Sequence, residues 1–271
     1  MTDSLLNLIV LAIVFALGAA IGSFLNVVIY RLPMGVSLVH PPSRCPKCLH
    51  RLRAHENVPV LGWIWLRGRC AHCKARIAVR YPLVEAGTGV LFVSVFLIFG
   101  LTWQTLGYWV LLAWLLALAL IDLDTMTLPS ALTQSGLLLG LLFQCFWGWQ
   151  TTGTWVGAIQ FFAEGVFGMV VGIWLLDAIA LVGSVALGQT AMGAGDAKLM
   201  AMMGAWLGWQ SLLLAGFVAC GLGALVGVGA IVIGRLGRRQ AMPFGPFLAI
   251  AGAISALWGA PLMQWYQRLF F

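Results

Sequence analysis

Four cysteines stand as two pairs, Cys45-Pro-Lys-Cys48 and Cys70-Ala-His-Cys73, with 21 residues between the pairs. Each C-x-x-C offers two thiolates to one half of a tetrahedral Zn²⁺ shell, and two such knuckles complete it. A shell closed by four thiolates leaves no position for water, so the expected role of the zinc is structural. Two other readings stay open at this point: a pair of disulfides, or His72 in place of one cysteine. All four histidines, His40, His50, His55 and His72, lie in the same stretch and otherwise read as solvated loop residues. Cys145 and Cys220 fall in apolar runs and read as small core residues.

The chain has only eight acids: Asp3, Glu56, Glu85, Asp122, Asp124, Glu164, Asp177 and Asp196. Five of them, Asp122, Asp124, Glu164, Asp177 and Asp196, lie within or at the edge of long apolar runs, where an ionisable group is costly and usually lines a cavity. Asp122 stands seven residues before Pro129, and Asp196 stands in MGAGDAKL, residues 192–199. Facing one another, two such carboxylates would share a proton; one would take a proton from water while the other polarised a carbonyl. The alternative is that each acid is held singly, by Lys198 or by a helix N-terminus. Lys198 reads equally as a counter-charge or as a snorkelling interfacial lysine. Gly193 and Gly195 are expected to permit a tight turn and close approach of a substrate strand. Asp124 lies on roughly the opposite helix face from Asp122 and reads as a solvated acid. Glu164 and Asp177 read either as a proton path or as polar anchors between helices.

The elements that must carry these groups follow from composition. The 271 residues are 62% hydrophobic and 8% charged, with a mean hydropathy of +0.99, against about 25% charged in soluble domains. The runs 4–30, 86–121, 125–163, 199–234 and 240–267 carry no charge. Each holds one or two helices of about 20 residues, and they are too continuous for barrel strands. The expected fold is an all-α polytopic membrane protein of about eight transmembrane helices, near 5–30, 83–101, 104–122, 131–148, 155–185, 196–208, 211–234 and 243–266, with a small zinc-binding loop domain. MTDSLLNLIV lacks a basic n-region, so 5–30 is expected as a retained helix. Three segments result: a first transmembrane helix at 1–31, a zinc-ribbon-like loop at 32–82 and a membrane domain at 83–271.

Ten of the 15 Lys and Arg lie between Arg31 and Arg80, and three more are Arg235, Arg238 and Arg239. That asymmetry is the positive-inside signal, which assigns both places to the cytoplasmic side and makes disulfides there unfavourable. Six helices between them return the chain to one face and bring Asp122 and Asp196 to that face too. The helix after Asp196 has about 13 residues before the GWQS turn, hence about 20 Å against a hydrocarbon core of about 30 Å. Asp196 is therefore expected in a recessed, wet pocket. The net charge of +7 comes with no nucleic-acid recognition motif, so no nucleic-acid partner is expected. No G-x-G-x-x-G or Walker sequence occurs. Gly168-x-x-x-Gly172 and Gly223-x-x-x-Gly227 mark close helix contacts.

Six segments in order resemble the bacterial type IV prepilin peptidases: GSFLNVVIYRLP (22–33), PPSRCPKC (41–48), NVPVLGWIWLRGRCAHC (57–73), RYPLVEAGTG (80–89), IDLDTMTLP (121–129) and MGAGDAKLMAMMGAWLGW (192–209). The resemblance implies a membrane-embedded aspartic endopeptidase of the GxGD type with Asp122 and Asp196 as the catalytic pair. It implies prepilins or type II secretion pseudopilins as substrates, cut between Gly and usually Phe at the cytoplasmic face of the bacterial inner membrane. It further implies N-methylation of the new N-terminus from S-adenosylmethionine, because both C-x-x-C pairs are present. No segment marks an adenosyl pocket. Asn26, Arg31, Arg80 and Glu85, which bracket the cysteine loop, read as loop anchors at helix ends or as recognition groups for a methionine carboxylate or amine. A transporter using Glu164, Asp177 and Asp196 is the rival reading; it gives the zinc loop no role. A non-catalytic zinc-bearing assembly factor is a third.

Overall fold

The computed structural model describes residues 2–188, 193–235, 237 and 242–270. Met192, Arg238 and Arg239 lie outside the described residues. The chain divides into two compact units, Met1–Trp109 and Val110–Phe271.

In the first unit α1 (Thr2–Arg31) packs against α3 (Arg80–Phe99). Gly18 and Gly22 let the two backbones touch: a Cβ on Gly18 would lie 2.8 Å from the Gly89 Cα, and one on Gly22 2.8 Å from the Glu85 Cα. This is the small-residue contact that replaces hydrophobic driving force where the solvent is itself apolar. Because 18 meets 89 and 22 meets 85, the helices run antiparallel, so both ends of the intervening loop emerge on one face. That loop carries a 3-10 turn, Ala54–Asn57, and a five-residue helix, α2 (Leu61–Trp65). Neither is foreseen by apolar periodicity, which needs a longer window.

The second unit contains the end of α4 (Trp103–Thr125), then α5 (Ser130–Thr152), α6 (Trp155–Leu187), α7 (Ala194–Val232) and α8 (Gly245–Phe270). Seven helices of the described chain are long and apolar enough to cross a membrane, where the sequence suggests eight. The difference is α7, a 39-residue span in which two helical stretches join across a kink at Gly208, whose backbone is non-helical at φ 73°, ψ 170°. A side chain at that positive φ is strained, and glycine alone accepts it freely. The chain reverses there, since the Met200 methyl lies 2.8 Å from the Cβ position of Gly216, whereas 16 residues of straight helix would separate them by about 24 Å. The expected segments 196–208 and 211–234 are thus two limbs of one helical hairpin, and the predicted break falls at its bend.

The limb 194–207 is the most enclosed part of this unit: Leu199, Met200, Met202 and Met203 are fully buried, as are Leu111, Leu115, Leu118 and Ile121 of α4. Outward-facing residues are equally apolar, with Phe217 81% and Trp174 74% exposed, as expected of helices solvated by lipid. Gly168 and Gly172 of α6 seat against the first limb, their Cβ positions 2.5 Å from the Gly204 carbonyl oxygen and 2.8 Å from that of Met200. Gly223 and Gly227 instead look onto the side chains of Phe244 and Met242, not onto backbone. Replacing Gly204 by Val would drive a branched side chain into the Gly168 backbone, which cannot yield. The expected loss is about 3 kcal/mol, read as a lowered melting temperature of the purified protein in detergent; an unchanged melt would contradict this packing.

Candidate active site and metal centre

The two knuckles are copies of one device. RCPKCLHR (44–51) and RCAHCKAR (69–76) repeat at an offset of 25 residues, a signal present in the sequence but readable only once the hairpins are seen. In each, the first cysteine N–H donates across the turn, Cys45 to the His50 carbonyl (2.9 Å) and Cys70 to the Ala75 carbonyl (2.8 Å). Leu49 and Lys74, at equivalent positions, both take positive φ, 57° and 58°. Isolated antiparallel bridges close each hairpin, Arg44 to Arg51 and Arg69 to Arg76.

These turns bring the four thiols together, all within 4.8 Å of one another. Cys45 Sγ is 3.7 Å from Cys73 Sγ and Cys48 Sγ is 3.9 Å from Cys70 Sγ. Four sulfurs at about 2.3 Å from a tetrahedral zinc stand about 3.8 Å apart, whereas a disulfide needs about 2.05 Å. The donor set therefore fits a metal ion and not two disulfides, and all six cysteines are free. The Cys45 thiol is pulled down to about 6, first by the backbone N–H of Cys48, against the opposing effect of burial, and further by that of Lys47. His72 stacks on His50, ring centroids 4.9 Å apart, and is not among the four clustered ligand atoms.

Asp122 and Asp196 are brought together in the second unit. Asp122, near the C-terminal end of α4, is 5% exposed, and Asp196, in the first turn of α7, is 8% exposed. The two side chains stand close enough to interact through space. Asp122 Oδ2 accepts from the Gly245 N–H at 2.9 Å, at the first residue of α8, where unpaired N–H groups and the helix dipole favour an anion. Asp196 occupies the third helical position after the N-cap Gly193, and its backbone N–H donates to the Gly193 carbonyl at 3.1 Å.

Gly193 has φ −78° and ψ 144°, extended backbone open to any residue, and Gly195 is helical. The expected tight turn at these glycines is corrected: Gly195 is small because a Cβ there would stand 3.0 Å from the Leu128 Cβ. Lys198 is exposed and its Nζ donates to Ser130 Oγ at 2.9 Å, tying α7 to the start of α5. Asp124, Glu164 and Asp177 are exposed. Glu164 lines a shallow groove with Gln160, Phe167 and Trp209, so neither α6 acid is a buried anchor between helices. Cys145 is half-buried and Cys220 exposed, so the core reading of these two is corrected as well. The residue that sequence reasoning missed is Gly245, in the glycine-proline step Gly245-Pro246 that opens α8.

An apolar cleft lies among α6, the two limbs of α7 and the start of α8. Its lining includes Met200, one turn on from Asp196, and Phe244, next to Gly245. Around the cysteine loop, Asn26 Nδ2 donates to the Tyr81 carbonyl (3.1 Å), Arg31 Nη1 to the Ser37 carbonyl (3.0 Å), and Glu85 Oε2 accepts from the Val60 N–H (2.7 Å). All three make the hydrogen bonds expected of loop anchors.

Residues 16–99 match the model of the bacterial Peptidase A24 N-terminal domain, and residues 109–228 match that of the type IV leader peptidase family. Curated relatives cover nearly the whole chain. A prepilin leader peptidase/N-methyltransferase of Aeromonas hydrophila is 40% identical over 96% of this chain and 94% of its own. That of Pseudomonas putida is 43% identical over 90% and 88%, and that of Pseudomonas aeruginosa 39% over 93% and 91%. The chain belongs to the type IV leader peptidase family. No solved structure matches it. Within this leader peptidase chain both candidate aspartates fall in the 109–228 match and all four cysteines in the 16–99 match, while Gly245 lies beyond both.

Proposed function

We propose that this chain is a membrane-embedded aspartic endopeptidase that removes the leader of type IV prepilins or type II secretion pseudopilins and then N-methylates the new N-terminal residue. The observation that carries the reading is the buried pair Asp122 and Asp196, the first held by the Gly245 N–H, in a chain related over 96% of its length to an enzyme so named.

Two like charges in one enclosed site hold one proton between them. The ionised carboxylate takes a proton from a water molecule as that water attacks the scissile carbonyl carbon. The protonated partner donates to the carbonyl oxygen. The tetrahedral intermediate then collapses, the C–N bond breaks, the departing amine takes up the proton first removed from water, and the hydroxyl made from the carbonyl oxygen returns its proton to the partner carboxylate. The Gly245 N–H holds Asp122 Oδ2 and so leaves the other oxygen of that carboxylate for the substrate. The apolar cleft at Met200 and Phe244 suits the apolar segment of a substrate lodged in the bilayer.

The cysteine cluster is assigned a zinc ion with Cys45, Cys48, Cys70 and Cys73 as ligands; bound there, it supplies a rigid fold and no open coordination position. S-adenosylmethionine is the assigned methyl donor, on the strength of the relatives' names, and no residue is assigned to hold it. The cytoplasmic face of the inner membrane is the proposed site, supported by the positive-inside distribution. Counting the hairpin limbs separately, six apolar limbs lie between the basic loop and Arg235, an even number that returns both to one side.

The test is co-expression with a prepilin and mass measurement of the product: leader lost and one methyl gained is expected. Leader loss without the methyl would remove the second activity, and an intact prepilin would overturn the reading. Gly245→Ala probes the geometry, because its Cβ would stand 2.7 Å from Asp122 Oδ2. The carboxylate must shift, and turnover is expected to fall by up to about 10²-fold with the melting temperature held. Wild-type turnover in Gly245→Ala would show that this contact does not position Asp122.

A further inference from the structure

The cysteine loop places like charges together twice. Arg44 and Arg51 are bridge partners, as are Arg69 and Arg76. The hydrogen bonds flank each pair: Cys45 N–H to His50 and Leu52 N–H to Ser43 around the first, Cys70 N–H to Ala75 and Ile77 N–H to Gly68 around the second. Both pairs are therefore of the non-hydrogen-bonded type, the closest cross-strand juxtaposition, at about 4.5 Å between Cα atoms. Like charges so placed destabilise a hairpin. The arrangement recurs at equivalent positions of both knuckles, and all four side chains are exposed.

A zinc tetrathiolate carries two negative charges, which is too few to account for the cations. Between Arg44 and Arg76 there are eight Lys and Arg, all exposed, and one acid, Glu56. Glu56 is itself engaged, its Oε2 accepting from the Arg53 N–H at 2.8 Å. A large positive excess remains on a loop of this size.

The position of the loop is set by its tethers. Arg76 lies four residues before Arg80, the start of membrane helix α3, hence within about 14 Å of it. The Val60 N–H is bound to Glu85, which lies about 8 Å along α3 from Arg80. That bond draws α2 down to the level where α3 enters the bilayer. Trp63 Nε1 donates to the Ile77 carbonyl at 3.2 Å, joining α2 to the second knuckle. At that level α2 exposes Leu61, Ile64 and Trp65, the last 73% exposed. An exposed indole beside basic residues is the composition of a headgroup-level anchor.

We infer that the cysteine loop lies on the bilayer face, with α2 seated at headgroup depth and the Arg44–Arg51 and Arg69–Arg76 pairs holding the phosphates of anionic phospholipids. Charge complementarity selects the anionic lipid, and the tethers to α1 and α3 select the membrane over a soluble anion.

The experiment uses the full-length, metal-loaded protein in nanodiscs of phosphatidylcholine alone or mixed with phosphatidylglycerol, with hydrogen exchange followed over residues 43–53 and 68–77. Exchange is expected to slow about tenfold in the anionic discs, and the difference to shrink as salt is raised. Glycerol phosphate added to phosphatidylcholine discs should not reproduce it. The variant R44Q/R51Q/R69Q/R76Q should lose the difference while retaining metal, and the corresponding four Arg→Lys changes should keep part of it. Equal exchange of the wild type in both discs overturns the inference, as does a salt-independent difference, or the same protection from glycerol phosphate. Should the Gln variant shed its metal, the wild-type lipid and salt comparisons decide alone.

Discussion

Asp196→Asn and Asp122→Asn are each expected to lower leader cleavage by about 10⁴-fold, and the double variant is expected to be no worse than either single one. Asn keeps the shape of each side chain, and at position 122 it can still accept the Gly245 N–H, so folding should persist and melting temperatures should stay near wild type. What is lost is the single proton that the pair exchanges with water and with the substrate carbonyl. Groups that act as a unit are not additive, which is why the second substitution should add nothing. The measurement is product mass after co-expression, followed by turnover of the purified variants on a synthetic prepilin. Near-wild-type cleavage by either variant would remove the dyad. A pilin supplied already without its leader should still be methylated by Asp196→Asn, because methyl transfer to a free amine needs no water activation at this pair.

The second large effect concerns the metal. Purified protein is expected to carry one zinc per chain, and Cys70→Ser or Cys45→Ser to lose most of it. Among residues 32–79 only Cys45, Gly62, Gly68 and Cys70 are buried. A segment of that length with two cysteines and two glycines for an interior has no hydrophobic core to hold it. Structural zinc in small peptides contributes about 10–16 kcal/mol of apparent folding free energy, so its removal should unfold the loop outright. Trypsin should then cut rapidly within residues 44–76 of the Cys70→Ser variant, while the membrane helices resist. A metal-free variant whose loop stays as resistant as wild type would refute the structural role.

Much of this molecule is legible without coordinates because its solvent is lipid. Backbone in hydrocarbon must be helical, so charge-free runs alone locate the helices, and the polar GWQS turn foretells the bend at Gly208. The cysteine spacing was equally readable, since C-x-x-C fixes ligand geometry within a few residues of chain. The count of separate helical elements was not, because a single glycine at positive φ reverses the chain with no loop between the two limbs. Nor could spacing show that Gly195 is small to admit Leu128, or that Lys198 is committed to Ser130.

The sequence by itself therefore determined the solvent, the helices, the cysteines able to hold a metal ion and the short list of acids able to do chemistry, all of them local properties of composition and spacing. Tertiary structure decided which acids meet. It turned Glu164 and Asp177 outward, enclosed Asp122 with Asp196, and supplied the Gly245 N–H from 123 residues further along the chain. Which helix ends converge depends on packing among glycine-lined backbones, and no periodicity within one helix encodes that.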